Sequence, residues 1–191
     1  MSHESESAKR APADLALVQR FINTVELDEG PDDDELTDPK ALVAWFAERG
    51  LCEPGARATQ AELERAVVIR EGLRAVLYAH NGGQLDPDAV AALEAAAGHA
   101  SLRASFGGER PELTPVCGGI DAGLARLLAA VTTAAADGTW QRLKACLADD
   151  CHSAFYDNSR NHSGTWCDMS DCGNRAKARA YRKRHRSHGK R

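Results

Sequence analysis

Four cysteines fall close together near the C-terminal end, in the pattern Cys146-x4-Cys151-x15-Cys167-x4-Cys172. That spacing lets one chain segment fold back and close a shell of four thiolates. Such a shell suits Zn²⁺, which imposes no geometry of its own and accepts tetrahedral sulfur ligation. Four protein ligands leave no open coordination position, so the spacing predicts one structural zinc ion and no catalytic metal. Two incidental thiol pairs, a disulfide and an iron–sulfur centre stand as alternatives. The first residues contain no apolar run of the secretory type, which predicts a cytoplasmic protein with reduced thiols. His152 and His162 read as surface or packing residues, and Cys52 and Cys117 as small core residues.

The formal net charge of −4 hides two unlike parts. Residues 173–191 contain nine Lys and Arg and no acid, a local +9. The first 172 residues carry 15 of the 24 basic residues and all 28 acidic ones, a net −13. A basic tail on an acidic body points to an anionic partner for the tail. No apolar run approaches the roughly 18–20 residues of a bilayer span, and the basic segment lacks the apolar face of an interfacial helix, so no membrane partner is expected. Aromatic residues are only 5%, so the core must be built mainly from Ala, Leu and Val.

Residues 1–11 are polar and predicted to lack order. From residue 12 to 138 the pattern is mainly helical. Leu15, Val18, Phe21, Ile22 and Val25 recur at helical spacing. Residues 28–38 hold seven acids and no base, and read as a solvated acidic loop. Asp38-Pro39 opens a helix that ends at Gly50. Thr59 and Glu62 form a capping box for a long helix reaching about His80. Asp86-Pro87 opens an Ala-rich helix to about Ala97. Residues 101–106 and 112–117, on either side of Gly107-Gly108, predict a small β-hairpin. Residues 120–136 return to helix. Asn23 and Thr24 sit at the end of an apolar helix. They either line a ligand pocket or satisfy a buried backbone group.

Residues 139–191 form the second expected unit. Residues 143–146 and 153–157 flank the first cysteine pair, and residues 157–164 are rich in turn formers. Ser170 or Asp171 is the expected N-cap of a helix starting near Cys172, with Lys144, Arg175 and Lys177 placed to offset the thiolate charge. A knuckle, a hairpin and a ligand-bearing helix resemble a treble-clef zinc finger. The predicted fold class is thus mainly α with a small β-hairpin, plus a C-terminal treble-clef-like four-cysteine finger carrying a basic helix.

Cys172-Gly173-Asn174-Arg175, with the preceding cysteines and residues 158–161, resembles the CGNR-type zinc finger. Members of that family join the finger to an N-terminal helical ABATE domain and are described as stress-induced transcription regulators. The stretch from Phe21 to Thr24 is similar to that domain's hydrophobic-Asn-Thr element. The resemblance implies Cys146, Cys151, Cys167 and Cys172 as metal ligands. Residues 147–150 depart from the Asn-Pro that relatives often carry there.

If residues 172–186 are helical, Arg175, Arg179, Arg182 and Arg186 share one face, and Lys177 and Lys183 widen the charge. Together with Arg160 they are the candidate nucleic-acid contacts. A cationic helix fits the DNA major groove. Tyr181 alone offers little stacking surface for single strands. The sequence shows no phosphate-cradling loop, His-Glu-x-x-His or nucleophile elbow, so no enzyme is expected. The leading expectation is a zinc-dependent DNA-binding regulator. Its helical domain would sense a small-molecule effector or form a homodimer. An RNA-binding or ribosome-associated module, or an interaction protein with a purely structural zinc site, are the alternatives.

Overall fold

The computed structural model describes residues 9–25, 34–109 and 111–188, with backbone only at 184 and 186–188. The N-terminal helices are α1 (Leu15–Ile22), α2 (Pro39–Glu48), α3 (Gln60–His80) and α4 (Pro87–Ala97). Strands β1 (Leu102–Ser105) and β2 (Glu112–Pro115) follow, then α5 (Gly119–Asp137). After a single 3-10 turn come β3 (Leu143–Ala145), β4 (Ala154–Tyr156), a π turn at Met169–Gly173 and α6 (Asn174–His188). Both strand pairs are antiparallel, with Arg103 opposite Thr114 and Lys144 opposite Phe155.

Local chemistry sets the helix starts. The Asp38 carboxylate accepts from the backbone N–H of Lys40 and Ala41, and Pro39 at N1 gives up no bond it would have made. Thr59 and Glu62 form the complete reciprocal capping box that starts α3. The few aromatics are concentrated: Phe21, Trp45 and Phe46 meet with ring centroids 5.8–6.3 Å apart. Gly123 of α5 is required there. A Cβ at that position would lie 2.6 Å from the Phe46 ring.

Helix α5 spans 19 residues and, among the described residues, is the one helix long and apolar enough to cross a membrane. The sequence reading found no such run. Here Ile120, Leu124 and Leu127 of α5 are buried in the protein core, and a core helix meets the same criterion.

The core runs through the boundary expected at residues 138 and 139. Alternation along the second strand pair explains how. Leu143, Ala145, Ala154 and Tyr156 face the helices and join the cluster containing Phe21, Leu73 and Leu77. Phe155, between them, faces the opposite side and joins Cys146, Ala148, Cys151 and Cys172. The hairpin is therefore a wall shared by two cores.

Polar clamps fasten that wall. The Asn23 amide donates to Ala154 O at 2.9 Å and accepts from Ala154 N–H at 2.7 Å. Asn81 donates to Ala145 O and Thr165 O, and Arg74 donates to His152 O and Ile22 O. Lys9, Arg10 and Ala11 were expected to be unstructured. Instead Lys9 O accepts from Tyr156 N–H at 2.9 Å, and Ala11 is buried with its N–H on Gln19. Residues 1–8 lie outside the described set.

The acidic loop also differs in part from expectation. Asp34 is not solvated alone: it forms a bidentate pair with the buried Arg70 at 2.7 and 2.8 Å. Asp38 serves as the cap described above. Residues 28–33 lie outside the described set. Removing the Asn23 clamp isolates its contribution. Asn23→Ala should lower the unfolding free energy by about 1–3 kcal/mol, because the buried Ala154 N–H loses its acceptor while Ala154 O keeps the Gln19 amide. Equilibrium urea unfolding measures the loss.

Candidate metal centre and its basic helix

The second hairpin and the start of α6 bring the four predicted ligand residues together. Strand β3 delivers Cys146 at its end, and a short turn returns through Cys151 to β4. The Cys146 N–H donates to Ser153 O and the Cys151 N–H to Ala148 O, which closes the knuckle. Cys167 precedes the π turn, and Cys172 lies within it. All four sulfurs lie within 4.8 Å of one another. Cys151 and Cys167 Sγ are 3.5 Å apart, and Cys167 and Cys172 Sγ are 3.6 Å apart. Tetrahedral Zn²⁺ with sulfur at about 2.3 Å requires sulfur separations of about 3.8 Å. The donor set and its spacing fit that ion. No histidine belongs to the cluster. His152 instead stacks on Tyr78 at 5.1 Å, and His162 offers its carbonyl to Lys144.

The protonation pattern shows why a cation belongs there. Hydrogen bonds from Cys146 and Cys167 pull the Cys151 thiol far below its ordinary value. The same bonding pushes Cys167 strongly up, and burial with the Cys151 charge pushes Cys172 up to about 12. Four thiolates at this distance repel one another, and a dication removes that conflict.

The Cys-Gly-Asn-Arg stretch divides its tasks. Cys172 supplies sulfur. A Cβ on Gly173 would lie 2.5 Å from Met169 Sδ and 3.1 Å from Trp166, so a larger residue would displace Met169 and crowd the Trp166 ring. Asn174 donates to Ser170 O at 2.8 Å, and Arg175 donates to Cys172 Sγ at 3.2 Å. The expected cap at Ser170 or Asp171 is displaced. Asp168 accepts from the N–H groups of both, because the chain enters α6 through a π turn.

The expected basic face is split. Arg179 makes a bidentate pair with Asp150 at 2.9 and 3.0 Å and lies 3.5 Å from Asp149. Arg175 lies 3.8 Å from Asp150 and 3.4 Å from Asp171. The knuckle between the first two cysteines thus takes up both arginines. Lys177, Arg182 and Lys183 are exposed on α6, and Arg160 is exposed on the loop after β4. The backbone of Arg186 continues the helix, and its side chain lies outside the described residues. Lys144 does not face the sulfurs. Its ammonium is buried against Asp157 Oδ2 at 2.7 Å and donates to His162 O and Gly164 O.

Burial alone would raise the Asp157 carboxyl. Lys144, Ser159 and the Gly164 N–H outweigh it and hold the group far below the usual carboxylate range. Both polar atoms of the Asn23 side chain bind Ala154, and the Thr24 hydroxyl bonds Phe21 O and Arg70. Sequence reasoning missed Asp149, Asp150, Asp157 and Trp166. Only the Asp149-Asp150 pair facing a run of arginines gave a usable charge signal.

A family model described as "Putative stress-induced transcription regulator" matches residues 15–139. The chain belongs to the ABATE family. A CGNR zinc finger model matches residues 142–185 of this ABATE protein, covering every ligand cysteine and most of α6. A search of curated proteins finds no match. The two family regions meet between residues 139 and 142, at the start of the shared hairpin wall.

Cys167→Ser should abolish stoichiometric zinc binding and loosen residues 143–186, because such a site contributes folding energy directly. Metal analysis together with amide exchange across that segment tests this. Asp157→Asn strands the buried Lys144 charge and should cost about 3–5 kcal/mol. Since the folded carboxyl is depressed, its contribution is complete well above about pH 4 and is lost as pH falls through the folded value. Unfolding curves across acid pH should show that slope in the wild type and not in the variant.

Proposed function

We propose that this ABATE protein is a zinc-dependent DNA-binding transcription regulator of the reducing cytoplasm, and that it is not an enzyme. The observation that carries the reading is the placement of α6. The π turn that leads directly into it contains a metal ligand, and Lys177, Arg182 and Lys183 along the helix are exposed to solvent. A cationic rod fixed at one end by a metal can lie in a DNA groove without first being ordered. The acidic body repels DNA, so contact is confined to this side of the finger.

The division of the basic face refines the contact set. Lys177, Arg182 and Lys183, with Arg160 on the neighbouring loop, are the primary phosphate contacts. Arg175 and Arg179 brace the helix on the Asp149-Asp150 knuckle. The helical domain serves effector sensing or dimerisation and passes its state to the finger through Asn23, Arg74 and Asn81. The reading is supported by the family matches, the four-sulfur cluster and the +9 segment.

Duplex DNA titration across a salt series tests it. The zinc-loaded protein should bind, with affinity falling steeply as salt rises. Lys177→Ala with Lys183→Ala should weaken binding evenly across sequences and lower the salt slope by about two. Chelation should abolish binding. Stronger binding to structured RNA than to duplex DNA would move the assignment to an RNA-binding module. Absence of both would leave an interaction protein with a structural ion.

A further inference from the structure

A cavity of about 490 Å³ opens on the finger, beside the π turn. Phe155, Trp166 and Met169 supply its apolar wall, and Lys9, Asn158 and Ser163 are among its polar lining residues. The Lys9 ammonium lies 5.0 Å from the centre of the Phe155 ring and donates to Trp166 O. An ammonium has three donors, so Lys9 has two more to offer. Helix α6 itself carries one aromatic, Tyr181. The fold adds Trp166 and Phe155 beside the same helix.

The cavity is also aligned with the exposed charge. Gly173, whose missing side chain makes room for Met169 and Trp166, begins a stripe continued at i+4 by the exposed Lys177. This stripe lies opposite Arg175 and Arg179, the two arginines bound to the knuckle. A strand whose phosphates follow the stripe would carry its next base to the cavity mouth. Apolar walls with an aromatic ring and a few donors suit a flat heteroaromatic ring bearing acceptor oxygens and nitrogens.

We propose that the cavity lined by Phe155, Trp166, Met169 and Lys9 receives one unpaired nucleobase from a DNA strand whose backbone lies along Lys177. The inference rests on the DNA-binding reading above and adds a recognition element to it. The base stacks on Trp166 and Met169, and Lys9 donates to its acceptor edge. Fully paired DNA leaves the cavity empty and is held by phosphate contacts alone.

The test uses the zinc-loaded full chain with two probes: a paired duplex, and the same duplex with one unpaired adenine. The bulged duplex should bind about tenfold more tightly, the scale of one base stacked on an aromatic side chain. Trp166→Ala should erase that preference and leave paired-duplex affinity unchanged. If that variant loses zinc, Met169→Ala and Lys9→Ala replace it, since both act at the cavity and neither is a ligand. Each should narrow the preference. Equal affinity of the wild type for both duplexes overturns the base pocket and leaves the DNA-binding reading standing. Binding to neither overturns both. A preference that survives all three substitutions overturns the assignment of the cavity.

Discussion

Four sulfurs within a few ångströms of one another, three of them on buried cysteines, cannot all carry charge unless a cation sits among them. The C-terminal third of the chain is organised around that constraint. The sulfurs come from the two ends of a knuckle, from an extended segment and from a π turn. A shared ion therefore joins pieces that have few other reasons to meet. Phe155 and Ala148 close the apolar side of the cluster, and Arg175 approaches Cys172 from the other. The zinc site and the start of the basic helix are thus one object, and the helix direction is fixed where it begins.

That fixed direction decides which charges are available. Arg175 and Arg179 point toward the knuckle and meet Asp149 and Asp150. Exposed ion pairs of this kind contribute little to stability, about 0–1 kcal/mol each. Their effect is geometric: they occupy one side of the rod and leave the other side to solvent. Helical periodicity alone placed all the arginines of that face in one functional set. The packed partner splits the set.

Much of the architecture was legible from local rules. The Thr59–Glu62 box, the Asp38-Pro39 start, the Gly107-Gly108 hairpin and the cysteine spacing each depend on residues a few positions apart, and each predicted element appears. What was not legible depends on contacts across long stretches of chain. Asn23 meets Ala154, Arg74 meets His152, and Asn81 meets Thr165. Nothing in the sequence near Asn23 indicates that its partner is a strand more than a hundred residues later. The aromatic cavity was hidden for the same reason: Phe155 lies on β4, Trp166 on a loop, and Lys9 in a segment expected to be unstructured.

The alternation along β3 and β4 bears on how such proteins are built and exchanged. A hairpin with Leu143, Ala145, Ala154 and Tyr156 on one side and Phe155 on the other has no face made for water. Moved onto another protein, the finger would carry a bare apolar wall and the unmet backbone groups of Ala145, His152 and Ala154. It is less a detachable cassette than one half of a joint. A change of partner domain would have to bring Asn23, Arg74 and Asn81 with it.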